Sequence, residues 1–365
     1  MTQVSTTKPV EKQKRFSFLN WLEKIYKNYI IQTVIKKIVI VWVVVTLTFL
    51  IVRALPGNPV EIMVINLMDT QNISEEEAQQ RAASLLRLDL DAPLHEQYFE
   101  FLSNLLHGDL GDSYILARGK PVVEIVFQRL PWTLFSVGTA LLISFILGMF
   151  LGMVAAYKRN SLLDQVLTNI NAMIGAVPNT LWAIILVLLL GVVWKVVPLT
   201  WMRGSISPGI KPGFTTEFIV DVLKHWLTPG IVYILTTLGY WMLAMRSSTV
   251  SVLGDDYVTV AKARGLPDLR IITAYVGRNA SLPLVTALAI SIGFLLSGSA
   301  VIEYVFVYQG IGLLMGQAIT KRDYPIMQGV LLVTTITVIL STALADLIYG
   351  WLDPRIRITG GGEEG

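Results

Sequence analysis

The sequence predicts an all-α polytopic membrane protein with six transmembrane helices. Of its 365 residues, 53% are hydrophobic and 15% are charged, whereas soluble globular chains are about 45–50% apolar and about 25% charged. A helix needs about 20 apolar residues to cross a bilayer. Inside lipid the backbone must satisfy its own hydrogen bonds, so each long apolar stretch should be helical despite its Val and Ile content. Six stretches qualify: 38–54, 132–157, 172–194, 226–245, 283–306 and 327–350.

The composition also excludes several classes of chemistry. The chain has no cysteine and only three histidines, which excludes disulfides, thiol catalysis and cysteine metal sites. The net charge of +3 gives no reason to expect nucleic acid as a partner. The sequence has no G-x-x-x-x-G-K-[ST] phosphate loop, so any ATP chemistry must lie on another chain. We therefore expect no metal, no cofactor and no enzymatic activity here.

Lysine and arginine are more numerous in segments on one side of the predicted spans, which places both termini in the cytoplasm. The first span follows lysines but lacks a small-residue cleavage site, so we interpret it as a retained helix. Residues 1–37 form a cytoplasmic tail. Its stretch 16–30 is amphipathic and fits either an interfacial helix or an ordinary basic tail. Residues 351–365 form a second cytoplasmic tail.

Between the first two spans, residues 55–131 are too long for a simple connector and predict a small extracytoplasmic helical subdomain. Residues 74–87 should form a helix capped by Ser74, and residues 93–106 a second, amphipathic helix. A later outside segment, 195–225, is rich in Pro and Gly and should be irregular. The remaining core, 132–350, contains spans two to six.

The segment 246–282 joins spans four and five on the cytoplasmic side. Asp255 can cap a helix that runs from Tyr257 to Arg264, with Gly265 at the position after its end and Pro267 just beyond. Asp268 can cap a second short helix. A protruding capped helix of this kind is suited to docking into a groove of a partner.

Several motifs resemble one transporter family, in the same order along the chain. The stretch 256–266 (DYVTVAKARGL) looks like the coupling motif of ABC importer permeases, and Leu282-Pro283 follows it. The motifs that narrow the resemblance to dipeptide/oligopeptide/nickel permeases are PGNP (56–59), PLHEQY (93–98), GDLGDS (108–113), RLPWTL (129–134), RDYP (322–325) and DPRIR (353–357).

The resemblance implies a type I importer permease fold with six spans and both ends inside. It also implies four kinds of partner: a second homologous permease subunit, two ATP-binding cassette subunits, an extracytoplasmic solute-binding protein and membrane lipid. Four departures stand out. Asn58 stands where Asp is usual in the family, and the N-terminal 30 residues look longer than typical. Gln309 stands where Pro is usual in the family, and the segment 200–225 looks longer than typical.

We expect the helix 255–266 to dock on the ATP-binding subunit. The candidate coupling residues are Asp256, Tyr257, Ala261, Lys262, Ala263, Arg264, Gly265 and Leu266. Gly265 would permit the sharp turn, and Ala261 would permit close helix approach. Lys262 and Arg264 could pair with acidic groups on the partner or remain solvated.

Four residues are candidates for the transport pathway or a gate. Glu303 lies near the outer end of span five, where a carboxylate is either functional or a structural hydrogen-bond acceptor. Trp182, Tyr240 and Trp241 lie within spans three and four and could stack on a substrate, although helix packing or lipid contact is the favoured explanation for each.

The sequence therefore predicts a permease subunit that forms half of a translocation pathway in the plasma or inner membrane. Short peptides are the expected substrate, with oligosaccharides as the alternative. Nickel is disfavoured because the spans offer no His or Cys ligands. A stand-alone secondary transporter is the alternative from another class, but it would need intramembrane charges or inverted repeats that the sequence does not show.

Overall fold

The computed structural model describes residues 29–54, 64, 65, 67, 68, 72–86, 92–293, 295 and 300–352. In this part of the chain the regular structure is helical, and the only β-bridge joins Asp112 and Pro121. The chain divides into two compact units, Met1–Leu47 and Thr48–Gly365, and the packing described below lies within the second. Apart from residues 29, 30, 351 and 352, the predicted amphipathic stretch 16–30 and the tail 351–365 lie outside the described residues.

Twelve α-helices define the described architecture. In chain order they are α1 (Tyr29–Ala54), α2 (Glu75–Leu86), α3 (Leu94–Leu106), α4 (Val122–Tyr157), α5 (Leu162–Ala176), α6 (Asn179–Leu186), α7 (Thr216–Val252), α8 (Asp256–Ala263), α9 (Arg278–Gly293), α10 (Ala300–Val305), α11 (Ile311–Lys321) and α12 (Tyr324–Leu352). A π-helix, Val187–Val193, continues α6. A helical turn at Asp268–Arg270 and a second π-helix, Ile271–Gly277, lead into α9.

Four of these helices, α1, α4, α7 and α12, are long and apolar enough to cross a membrane. They confirm the predicted spans 38–54, 132–157, 226–245 and 327–350 as helical, although α4 and α7 are longer than expected, at 36 and 37 residues. The predicted span 283–306 corresponds to α9, with 16 residues, followed by α10; residues 294 and 296–299 between them are not described. The count of six spans stays a prediction.

The predicted third span, 172–194, is wrong as a single straight helix. The chain instead forms α5, bends by 95° and continues as the helical segment Asn179–Val193. The bend falls at Val177, which is extended (φ −94°, ψ 126°). Its cause is Pro178, because proline disfavours helical geometry in the residue before it and lacks the N–H that a helix needs.

Two other predictions about the segments between spans have different outcomes. The helices predicted over 74–87 and 93–106 are confirmed as α2 and α3, and the Ser74 hydroxyl accepts a hydrogen bond from the Glu77 N–H (3.3 Å). The irregular segment predicted over 195–225 ends earlier, because α7 begins at Thr216. The Thr215 hydroxyl caps α7 by accepting a hydrogen bond from the Phe218 N–H (3.2 Å).

Close packing of α4 against α7 forms the centre of the second unit. A Cβ atom at Gly148 would overlap Trp241, and one at Gly152 would overlap the backbone at Met242. These small residues let two membrane helices approach closely, which confirms the interpretation of both glycines. The paired positions increase together along both helices, so α4 and α7 run in the same direction.

The helix α9 packs against both α7 and α12. Ser248 of α7 donates a hydrogen bond to the Ala280 carbonyl at the start of α9 (2.8 Å). At the far end of α9, a Cβ atom at Gly293 would lie 3.0 Å from Ser341 of α12. Gly293 thus marks close packing, as predicted. Gly298, for which the sequence supports the same interpretation, lies outside the described residues.

Candidate functional site

The segment 246–282 contains the predicted protruding helix, α8. Asp255 occupies the position before it with extended geometry (φ −73°, ψ 147°), but its side chain makes no capping hydrogen bond. The predicted cap by the Asp255 carboxylate is therefore wrong. The first turn is closed instead by the backbone, with the Val258 N–H donating to the Asp255 carbonyl (3.0 Å). The second predicted helix is also different: Pro267, not Asp268, is its N-cap, and it continues through Ile271–Gly277 into α9.

The C-terminal end of α8 is a complete Schellman motif. Gly265 has φ +68°, and its N–H donates to the Lys262 carbonyl (2.9 Å). The Leu266 N–H donates to the Ala261 carbonyl (3.3 Å). A Cβ atom at Gly265 would meet nothing within 4 Å. The backbone conformation therefore favours glycine there, whereas the space around it does not exclude a side chain.

The two faces of α8 differ in what they contact. Val258 and Ala261 are buried against Ile271 and Val276, so the small side chain of Ala261 serves packing inside this chain. Leu266 packs partly against the same cluster. The predicted residues that are exposed are Asp256, Tyr257, Lys262, Ala263, Arg264 and Gly265. Val260, which the sequence interpretation omitted, is 56% exposed and adds an apolar side chain to this surface.

The helix α8 is also fixed to the start of α9. Asn279 donates a side-chain hydrogen bond to the Tyr257 hydroxyl (2.7 Å). The neighbouring residue Ala280 is buried and receives the Ser248 hydrogen bond described above. The hydrogen bond between Tyr257 and Asn279 therefore fixes the position of α8 relative to α9.

Glu303 lies in a buried cluster that joins α4, α10 and α11. One carboxylate oxygen accepts a hydrogen bond from the Thr133 hydroxyl (2.7 Å). The other accepts from the N–H groups of Gly312 (2.8 Å) and Leu313 (3.1 Å). Thr133 in turn accepts from the Ile311 N–H (2.8 Å). The carboxylate therefore caps the N-terminus of α11, where negative charge is favourable.

The two glycines next to the Glu303 carboxylate, Gly310 and Gly312, have no room for a side chain. A Cβ atom at Gly310 would overlap the Glu303 carboxylate, and one at Gly312 would overlap Ala300. The glycines of the segment 309–312 (QGIG) thus permit the carboxylate to reach the helix end. Of the two interpretations of Glu303, the described contacts correspond to the structural hydrogen bond.

The three aromatic candidates lie in different surroundings. The Trp182 indole N–H donates to the Ile174 carbonyl (3.0 Å), an acceptor that Pro178 leaves without its usual helical donor. Trp241 is buried and packs edge-on against Phe145, with ring centroids 5.0 Å apart. Tyr240 is 60% exposed. Trp182 and Trp241 therefore pack within the chain, and Tyr240 presents an accessible ring.

Sequence reasoning quoted the motif 322–325 (RDYP) but missed the contacts of Asp323. This buried carboxylate accepts hydrogen bonds from the Ser113 hydroxyl (2.7 Å) and from the N–H groups of Ile115 and Leu116 (both 2.9 Å). It also accepts from the Tyr114 N–H (3.2 Å). No local signal reveals this contact, because Asp323 and Ser113 are 210 residues apart.

Gln309 and the segment 200–225, two of the departures expected from the resemblance, meet in the structure. The Gln309 N–H donates to the Ser205 hydroxyl (2.9 Å), and the Gly204 N–H donates to the Phe306 carbonyl (2.9 Å). Ser207 donates through its N–H and hydroxyl to the Asp221 carboxylate (2.7 and 2.8 Å). The long segment after α6 is thus held to both α7 and the turn before α11.

Comparison with known proteins agrees with this architecture. Residues 148–358 match the family described as binding-protein-dependent transport system inner membrane component, and residues 26–137 match the model of the N-terminal part of such membrane components. The chain belongs to this family and is a multi-pass protein of the inner membrane.

Individual relatives cover most of the chain. A di/tripeptide transport system permease protein from Pseudomonas aeruginosa is 34% identical over 324 residues, which are 85% of this chain and 93% of the relative. A dipeptide transport system permease protein from Escherichia coli is 33% identical over 327 residues, with the same coverage. An oligopeptide transport system permease protein from Bacillus subtilis is 30% identical over 330 residues, which are 90% of this chain and 99% of the relative.

Proposed function

We propose that this chain is the transmembrane permease subunit of an ATP-driven importer of short peptides. It forms half of the translocation pathway, and a second homologous permease subunit forms the other half. An extracytoplasmic solute-binding protein delivers the peptide. The names of three relatives, which refer to dipeptide, di/tripeptide and oligopeptide transport, support this substrate class over oligosaccharides.

The observation that carries the proposal is the exposed surface of α8. Its buried side is fixed to the chain by Val258 and Ala261, while Tyr257, Val260 and Lys262 face outwards. An apolar side chain flanked by polar ones on a short, rigid helix is suited to a groove of an ATP-binding subunit. ATP hydrolysis takes place on two such subunits, and this chain binds no cofactor of its own. Both termini and α8 then lie on the cytoplasmic side.

A glycine substitution tests the docking. Gly265→Trp should abolish ATP-coupled uptake, because the indole would occupy space that is open in this chain but that the docked subunit would need. Gly209→Trp is the matched control, since Gly209 also has a positive φ (+91°) with nothing within 4 Å of a Cβ atom. Both variants should insert in the membrane. Normal uptake by Gly265→Trp would refute docking through α8.

Substrate class is tested separately with a strain that lacks this chain. Uptake of labelled dipeptides and tripeptides should be lost, and uptake of labelled oligosaccharides should be retained. Loss of oligosaccharide uptake alone would overturn the peptide assignment. The coupling proposal would then still stand, because α8 acts independently of the solute.

A further inference from the structure

The fully buried residues of α5 are polar, and several of its apolar residues are exposed. Its two buried residues are Asp164 and Asn171, whereas Leu162, Val166, Ile170 and Met173 are exposed. Burial of apolar side chains within this chain therefore does little to hold α5. Membrane helices of this type associate through polar contacts and close packing.

The first polar contact is a two-point ion pair with α7. Arg246 Nε lies 2.7 Å from Asp164 Oδ1, and Arg246 Nη2 lies 2.8 Å from Asp164 Oδ2. The side chains are 28% and 5% exposed, respectively. The carboxylate also accepts a hydrogen bond from the Asn160 N–H (3.0 Å). Paired hydrogen bonds between guanidinium and carboxylate fix orientation as well as distance.

The second polar contact lies two helical turns away. Asn171 donates a side-chain hydrogen bond to the Gly239 carbonyl (3.2 Å). A Cβ atom at Gly239 would overlap the Asn171 amide, so glycine permits the approach. The two contacts are seven residues apart on both helices, about 10 Å along each axis, and their order shows that α5 and α7 are antiparallel. Two fixed points prevent α5 from pivoting on α7.

Of the two polar contacts between α5 and α7, the Asp164–Arg246 pair lies nearer to α8. Arg246 lies less than two turns before the end of α7 at Val252. Val252 and Leu253 pack against the buried side of α8. At its other end α5 leads through the bend at Pro178 into α6. A continuous set of contacts thus runs from α8, through the last turns of α7, to α5 and the bend.

We propose that Asp164 and Arg246 are positioning residues that make α5 move as one body with the α8 end of α7. Displacement of α8 by the ATP-binding subunits then reaches the 95° bend and α6. This inference rests on the proposed function, because it takes α8 as the point where the force enters. It adds a specific element, α5, that carries the movement.

Spin labels test the one-body movement directly. Met173 of α5 and Leu243 of α7 are exposed, and the chain has no native cysteine, so Met173→Cys and Leu243→Cys can be labelled selectively. The labelled chain is assembled with cysteine-free partner subunits in proteoliposomes. The distance between the labels should be the same without nucleotide and with ATP trapped by vanadate. A change of several ångströms between the two states would refute the inference.

A substitution in the Asp164–Arg246 ion pair tests how this movement affects transport. Asp164→Asn should lower uptake about tenfold while ATP hydrolysis stays within about twofold of the native rate. A purely structural role would instead lower uptake and hydrolysis together through loss of assembled transporter. Glu77→Gln is the matched control, because Glu77 forms an exposed ion pair with Arg81 (2.7 Å), and it should change neither rate. Unchanged uptake by Asp164→Asn would overturn the inference.

A cross-link separates this inference from the proposed function. Val260→Cys should cross-link to a cysteine introduced in the groove of the ATP-binding subunit. Absence of the cross-link would refute docking through α8 and the inference with it. Cross-linking together with a nucleotide-dependent distance between α5 and α7 would refute the inference alone.

Discussion

Replacement of Asp323 should destabilise the chain more than replacement of any exposed carboxylate near it. The Asp323 carboxylate is buried and accepts three backbone N–H groups and the Ser113 hydroxyl. Asp323→Ala would leave those three amides without an acceptor. Each buried polar group that loses its partner costs about 1–3 kcal/mol, so the loss should be at least about 3 kcal/mol.

Asp323→Asn should have a smaller effect, which the geometry explains. Its amide oxygen can take the place of Oδ2, which accepts from Ser113, Ile115 and Leu116. Its NH2 group would then face the Tyr114 N–H. Both groups are donors, so this hydrogen bond would be lost. We expect a loss of about 1–3 kcal/mol, the cost of one unsatisfied buried group. Asp109→Asn is the control, because Asp109 lies in the same segment but is exposed.

Thermal unfolding of the detergent-solubilised chain, followed by fluorescence-detected gel filtration, measures these differences. With about 2.1 cal/mol/K of unfolding entropy per residue, one kcal/mol shifts the midpoint of this chain of 365 residues by about 1.3 °C. Asp323→Ala should therefore lower the midpoint by at least about 4 °C, Asp323→Asn by less, and Asp109→Asn by almost nothing. Equal midpoints for Asp323→Ala and Asp109→Asn would refute the assigned role of the carboxylate.

Three further predictions follow from single contacts. Gly265→Ala should lower the free energy of unfolding by about 1 kcal/mol through its positive φ alone. It should retain most uptake, in contrast to Gly265→Trp. Equal loss of uptake in both variants would show that the backbone conformation at this position matters, and not the space around it. Gly310→Ala should lower the yield of folded chain in gel filtration, because its Cβ atom would overlap the Glu303 carboxylate; an unchanged yield would refute that contact. Gln309→Pro removes the N–H that Ser205 accepts and should cost about 1 kcal/mol of unfolding free energy. This cost should disappear in a Ser205→Ala background, and a persistent cost would contradict the contact.

The helical membrane fold and the C-terminal end of α8 could be predicted because they depend on neighbouring residues. Apolar length identifies helices in lipid, and the position of Gly265 follows from the geometry of helix ends. The bend in the third predicted span had a local signal, Val177-Pro178. It was missed because a count of apolar residues does not register a proline within the stretch.

The polar contacts that hold the helices together could not be predicted, because they join residues distant in sequence. Arg246 and Asp164 are 82 residues apart, and Thr133 and Glu303 are 170 apart. Each residue alone fits several interpretations, as Glu303 did. The choice between a gate and a helix cap depends on which groups face the carboxylate, and the sequence does not contain that arrangement.

Motifs that are distant in the sequence contact each other in the structure. The segment 108–113 contacts the segment 322–325 through Ser113 and Asp323, and the segment 129–134 contacts the segment 309–312 through Thr133 and Ile311. Gln309 and the segment 200–225 are brought together in the same way, through Ser205. A proline at position 309 has no N–H to donate to Ser205, so the contact between this position and the segment 200–225 depends on a residue other than proline at 309.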